Sequence, residues 1–231
     1  MRLPIAIIDS RTPPTAISKL STLFETFCFT GNNSTYEAIS CHPDIYMTHC
    51  GSELIVAANA PDALVEMLRA KQIAFSFGKS KVGFQLTDSA YYNSVITDKY
   101  FIHKQGFTDI LIENICQNLQ FINVPQAYTR CSLIHLKDNC FISSDKGIIK
   151  QLEKYNLQVI YINPSKIQLP PYKNGFIGGC MGVFGNRLFA NGNLNLLVGG
   201  EKSKKEIIDI GIEIIELHED TPYDGGGIFF I

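Results

Sequence analysis

The chain repeats itself. A unit of two short apolar strands around a tight polar turn, then an amphipathic helix and a further apolar strand, is written five times in 231 residues. The clearest copy runs Ser132-Leu-Ile-His-Leu136, turn Lys137-Asp-Asn139, Cys140-Phe-Ile-Ser143, a helix from Asp145 to Asn156, and strand Gln158-Val-Ile-Tyr-Ile162. Repeats spaced roughly 40–50 residues apart indicate a stacked or radially closed architecture, because one such unit cannot bury its apolar face alone. Asp145 stands where a helix N-cap is expected.

The second copy begins at Ile45-Tyr-Met-Thr-His49, turns at Cys50-Gly-Ser-Glu53 and returns as Leu54-Ile-Val-Ala57. Asn59 is a candidate cap and Pro61 suits a first helical turn. Leu64, Met67 and Leu68 follow on one helical face, and Ile73-Ala-Phe-Ser-Phe77 closes the unit. The third copy pairs Val95-Ile-Thr97 with Tyr100-Phe-Ile-His103, then a helix from Thr108 to Asn118 and strand Phe121-Ile-Asn-Val124. The fifth pairs Cys180-Met-Gly-Val-Phe184 with Leu188-Phe-Ala190, then a helix from Ser203 to Ile210 stopped at Gly211. The first copy has strands at 3–9 and 26–30 around a helix near 14–24, but lacks the opening hairpin strand. Gly227-Ile-Phe-Phe-Ile231 supplies it, so pairing of the last strand with the first closes a ring and hides both sheet edges. Connectors at about 78–93 and 163–178 read as loops. The order strand-strand-helix-strand argues against a doubly wound sheet, where strand and helix simply alternate.

Composition narrows the function classes. Hydrophobic residues make up 45% and charged ones 18%, as in an ordinary folded protein, and the net charge of −2 with no basic run argues against a nucleic-acid surface. The apolar run Met1 to Asp9 is too short for a signal peptide, and no run reaches the roughly 20 residues of a membrane span. A cytoplasmic protein with no membrane partner is the expectation. Seven cysteines, an odd number without a CxxC pair, indicate neither a disulfide framework nor a zinc site, and no metal or cofactor is expected. Cys28, Cys116 and Cys140 fall in apolar patterns, where cysteine acts as a small hydrophobe.

A five-bladed ring of such units over 1–231 resembles the pentein fold, an α/β propeller shared by guanidino-group-modifying enzymes and by noncatalytic ribosome anti-association factors. The chain is most similar to a bacterial branch outside the named enzymes. Arginine deiminases carry Asn-Pro-Asn leading through a strand to Thr-Arg-Asp, whose aspartate holds the guanidinium. The similar stretch here is His42-Pro-Asp-Ile-Tyr-Met-Thr-His-Cys50, with Cys50 at the aspartate position. The family's catalytic histidine opens a motif similar to Gln126-Ala-Tyr-Thr-Arg-Cys-Ser132, where Gln126 replaces it. Deiminases end in Gly-Gly-Gly-x-x-Cys; this chain has Gly225-Gly-Gly-Ile-Phe-Phe230, with Phe230 at the nucleophile position. Attack on a guanidinium carbon needs a thiolate and a proton donor, so these replacements argue against the standard deiminase or amidinotransferase mechanism.

In a radial ring the leading ends of the first strands face one central space. That would gather His42 and Asp44 from the second copy and Asn93 from the third. It would add Gln126, Tyr128 and Arg130 from the fourth, Cys180 from the fifth, and Tyr223 and Asp224 from the closing strand. His42, Asp44 and Cys180 are the candidates for chemistry; Asn93, Gln126, Tyr128, Arg130 and Asp224 are the candidates for holding a ligand. Cys131 and Cys180 both read as packed small residues; of the two, Cys180 is the better nucleophile candidate, because the two glycines before it would let backbone donors approach a substrate. His103, His135 and His218 read as structural. Two alternatives stay open: a small-molecule site on the scaffold of guanidino-modifying enzymes, with a guanidino or amino-acid-like ligand, and a noncatalytic binding or scaffold protein.

Overall fold

The computed structural model describes residues 3–231; Met1 and Arg2, which open the N-terminal apolar run, lie outside them. Its strands form five three-stranded sheets. The first holds β1 (Ile5–Asp9) and β2 (Glu25–Phe29); the second β3 (Met47–Cys50), β4 (Glu53–Val56) and β5 (Phe75–Phe77). The third has β6 (Val95–Ile96), β7 (Tyr100–His103) and β8 (Gln120–Asn123), and the fourth β9 (Leu133–Lys137), β10 (Cys140–Ser143) and β11 (Gln158–Tyr161). The fifth has β12 (Met181–Phe184), β13 (Arg187–Ala190) and β14 (Glu213–Glu216), and β15 (Phe229–Phe230) returns to the first.

In each sheet the central strand pairs antiparallel with the first and parallel with the third, and a helix crosses between the second and third in sequence. The hairpins turn tightly because Gly51 and Gly185 take left-handed φ values of 63° and 60°, and Asp138 does so at 48°. The crossover helices bury one stripe, such as Leu64, Val65 and Leu68 of helix Asp62–Ala70. Asp145 caps helix Lys146–Leu152 as expected, accepting from the backbone N–H groups of Gly147 and Ile148 at 2.7 and 2.9 Å. No helix among the described residues is long and apolar enough to cross a membrane.

The ring closes where the sequence suggests. β15 pairs antiparallel with β1, Ala6 opposite Phe230 and Ile7 opposite Phe229. Phe24 fills the seam between the last and first blades, its ring 5.2 Å from those of Phe184 and Phe189 and 4.7 Å from Phe230. At their leading ends the first strands also meet head to tail around the axis. The Asn93 amide donates to the Asp44 carbonyl at 3.1 Å, and the Arg130 N–H to the Asn93 carbonyl at 3.0 Å. Gly178 lies so close to the carbonyls of Arg130 and Cys131 that a Cβ would overlap them. The N–H groups of Gly225 and Gly227 donate to the Gly179 carbonyl at 3.0 and 2.7 Å, and Gly226, at φ 67°, lies against His42.

Several details differ from the sequence reading. Ile45 and Tyr46 belong to a helical turn, Pro43–Tyr46, before β3, and a similar turn, Thr129–Ser132, precedes β9. The 78–93 connector contains a helix, Leu86–Ala90. Asn59 does not cap the next helix; its amide instead brackets Val82, accepting from its N–H at 2.8 Å and donating to its carbonyl at 3.0 Å. The last crossover helix starts earlier, at Gly200, and Cys28 is exposed on the outer strand β2.

Phe24 is 2% exposed and touches three rings from the far end of the chain. Phe24→Ala should therefore destabilise the fold by about 3–5 kcal/mol, read as a lower urea midpoint with an unchanged slope. A loss below about 1 kcal/mol would show that the seam does not hold the ring together.

Candidate functional site

The leading ends of the first strands converge on a cavity of about 270 Å³. Tyr36, Tyr128, Tyr172 and Phe176 line it together with His42, Cys131 and Asp224. His42 is held by its place before Pro43, which starts the helical turn into β3. The segment before β15 brings Asp224 in, and the turn before β9 brings Cys131.

His42 is 1% exposed and sits between two carboxylates, its Nε2 3.7 Å from Asp9 Oδ2 and its Nδ1 3.9 Å from Asp224 Oδ1. Both distances exceed hydrogen-bonding range, and neither ring nitrogen has a partner. Burial, reinforced by the Arg11 charge, pushes the imidazole down to about 3, so it is neutral and these approaches are not ion pairs. Asp9 ends β1 and is gripped by Arg11, whose Nη2 donates to Oδ2 at 2.7 Å and whose Nε donates to Oδ1 at 3.0 Å. Burial still raises Asp9 above the usual carboxylate range. Asp224 accepts from the N–H groups of Phe176 at 2.8 Å and Gly226 at 3.1 Å. Burial, with the nearby charges of Asp44 and Asp9, pushes it up to about 7 against the pull of those two bonds.

Behind the cavity lies a second layer. Asp44 is fully buried; its Oδ2 accepts from the Cys131 thiol at 2.8 Å and lies 3.5 Å from Arg130 Nη1. The Asn93 amide donates to Cys131 Sγ at 3.2 Å while its Oδ1 accepts from the Cys131 N–H at 3.1 Å. Burial raises Asp44, outweighing Arg130, the thiol and the amide. The Cys131 thiol is pushed far up by burial and by the negative charges of Asp44 and Asp224. At neutral pH these surroundings favour the thiol form, which donates to Asp44.

Of the residues singled out in sequence, His42, Tyr128 and Asp224 line the cavity, and Asp44, Asn93 and Arg130 support it from behind. Tyr128 is fixed by a 2.7 Å bond between its hydroxyl and that of Ser89. Gln126 and Cys180 are not brought in. Gln126 spends its Oε1 on the Tyr128 N–H at 3.1 Å, while its Nε2 faces Asp145 at 3.5 Å. Cys180 is buried in the apolar core beside Met181 and Leu188, its thiol 3.4 Å from the Phe176 carbonyl. The cavity-facing thiol is Cys131. Cys50 ends β3 beside Cys116, and Phe230 is packed among Phe24, Phe184 and Phe189. His103 is structural, bridging the Thr108 hydroxyl at 2.6 Å and the Ala127 carbonyl at 2.9 Å. Asp9, Arg11, Tyr36, Tyr172 and Phe176 were not legible as site residues. Among the described residues no group of three His, Cys, Asp or Glu is arranged to hold a metal ion.

Comparison with solved structures places this geometry on a known scaffold. The agmatine deiminase of C. jejuni with substrate bound superposes with a TM-score of 0.62 at 6% identity, over 99% of this chain and 93% of that one. A saxitoxin-pathway amidinotransferase from Microseira wollei gives 0.58 at 10% identity, over 93% and 88%. The dimethylarginine dimethylaminohydrolase of Pseudomonas aeruginosa in complex with citrulline gives 0.55 at 9%, over 96% and 93%. These likenesses establish the fold as a pentein and nothing finer. No curated protein matches the sequence. A family model described as a family of unknown function, DUF6873, matches residues 7–229, and with nearly the whole chain covered the protein belongs to that family.

Proposed function

We propose that the protein binds a small molecule bearing a planar cation, a guanidino or amidino group on an amino-acid-like body, in the cavity of about 270 Å³. Asp224 carries this reading. It is a buried carboxylate lining the cavity, and among the described residues no Lys or Arg pairs with it. An incoming cation would supply the missing counter-charge, and the faces of Tyr36, Tyr128, Tyr172 and Phe176 favour a cation over a neutral group. The fold neighbours include proteins described with a bound substrate and with citrulline, which supports a small-molecule ligand on this scaffold at the level of fold analogy.

Binding stands ahead of covalent chemistry in this reading, because the Cys131 thiol is held protonated by its surroundings. His42, neutral and with both nitrogens unpartnered, is available to hydrogen-bond a ligand.

A thermal-shift panel of agmatine, arginine, simple amidines and neutral amino acids tests the proposal. A cationic compound should raise the melting temperature of the native protein, and Asp224→Asn should abolish the rise while the protein stays folded. The pH trend follows from Asp224, whose folded pKa is about 7. The cation binds the ionised form, so affinity should fall about tenfold per unit below that value and level off above it. An affinity that strengthens on acidification, or a panel with no stabilising cation, would sink the proposal.

The thiol layer gives a separate expectation. Asp44→Asn removes the negative charge beside Cys131 and leaves Arg130 in place, so the thiolate fraction should rise. Peptide mapping after iodoacetamide treatment at pH 8 should show Cys131 alkylated about tenfold faster in the variant. Equal rates would mean that Asp44 does not control the thiol.

A further inference from the structure

A second cavity, of about 180 Å³, lies further along the first strands. Its wall comes from every blade: Thr48 and His49, Ser94, Leu133 to His135, Val183, and Phe229, with Arg130 at the leading side. His49, His135 and Val183 are each the third residue of their strand, so they stand at one level around the axis. Three of its lining side chains are basic and none is acidic.

We infer that this axial well is a binding site for a compact anion, a small carboxylate or an inorganic oxyanion. Four observations point there. The Arg130 guanidinium lines the well, its contacts being long ones, 3.2 and 3.4 Å to the carbonyls of Gly226 and Ile228 and 3.5 Å to Asp44. Its central carbon lies 4.2 Å over the Phe229 ring, a cation–π contact that restrains it at the wall. Ser94 is 3% exposed, and its hydroxyl has no partner although it lines the well. His49 stacks on Phe229 with ring centroids 6.0 Å apart, its Nε2 buried and unpartnered. An anion would accept from the hydroxyl, from an imidazole N–H and from the guanidinium together, whereas a cation would meet the Arg130 charge.

Proton linkage follows from the same groups. His49 is held below its ordinary value by burial and then by the Arg130 charge, with the Phe230 backbone opposing. His135, whose Nε2 sits 2.9 Å from the Asp138 carbonyl, lines the same well, and Asp44 lies beyond Arg130. A bound anion offsets both effects that keep His49 neutral, so binding should take up a proton and tighten as pH falls toward 6.

Isothermal titration of the full chain with sodium sulfate, phosphate and acetate, each against sodium chloride at matched ionic strength, tests the site. We expect saturable binding of at least one of them that is stronger at pH 6 than at pH 8; sulfate and phosphate responding without acetate would identify an oxyanion, and the reverse a carboxylate. Ser94→Ala should weaken it about tenfold, since it removes one hydrogen bond to a charged group. His49→Gln should flatten the pH dependence, and Val183→Glu, which places a carboxylate in the well, should abolish binding. Asp224→Asn, in the other cavity, should leave it unchanged, which separates this test from that of the cation site. If Val183→Glu fails to fold, the Ser94 and His49 variants decide alone. Heats identical to those of chloride, or binding indifferent to Ser94→Ala and His49→Gln, would overturn the inference.

Discussion

The interaction on which the rest of the ring depends is the contact of one buried carboxylate with a guanidinium on one side and a thiol on the other. Asp44 comes from the second blade, and Arg130 and Cys131 from the fourth; Asn93 of the third lies between them and bonds to both. Arg130 also reaches the carbonyls of Gly226 and Ile228 on the closing segment. Four blades are therefore fastened at one point on the axis. Removing one partner of such a buried set typically costs about 3–5 kcal/mol, because the charge left behind has no solvent to turn to. The apolar seams between blades supply most of the driving force, but they are non-directional. The polar fastening fixes which leading ends meet.

That fastening also divides the axis into two environments of opposite character. On one side the buried groups are Asp9, Asp224 and a neutral His42 beneath aromatic walls. On the other the charged and titratable groups are the half-buried Arg130, His49 and His135, with no carboxylate among the lining residues. Arg130 and Asp44 stand between, each oriented toward the other. Such a separation of charge in a medium of low dielectric is what the two proposed sites, for ligands of opposite sign, rest on. It also explains why the titrating groups are displaced: each carboxylate and imidazole is taken out of water with an incomplete set of partners.

The fold was largely legible because its elements announce themselves by period. Alternating apolar runs around Gly51 and Gly185 read as hairpins, and the missing strand of the first blade was recoverable from the run at 227–231. The turns at 43–46 and 129–132 were not recoverable, since four residues carry less than two turns of a 3.6-residue repeat. This had consequences for the site. Reading Asp44 and Arg130 as lying at the entry ends of strands placed them in the right space, yet gave no hint that Asp44 would bond the Cys131 thiol. Asp9 looked like the end of a strand, and nothing local connects it to a histidine 33 positions later.

The two cysteines show how a sound local argument can select the wrong neighbour. Gly178 and Gly179 suggested room for a substrate beside Cys180. Their lack of side chains has another cause: the space a Cβ would take at Gly178 is filled by the carbonyls of Arg130 and Cys131, and at Gly179 by the carboxylate of Asp224. The glycines let blade four and the closing segment press against blade five, and that contact carries Cys131 into the cavity while Cys180 turns into the core. Phe230 follows the same logic. Its place in the chain resembles that of a nucleophile, but its ring completes an aromatic cluster with Phe24, Phe184 and Phe189 that seals the ring. Position along a repeat fixes which blade a side chain belongs to; whether it faces ligand or core is decided by what the neighbouring blade puts beside it.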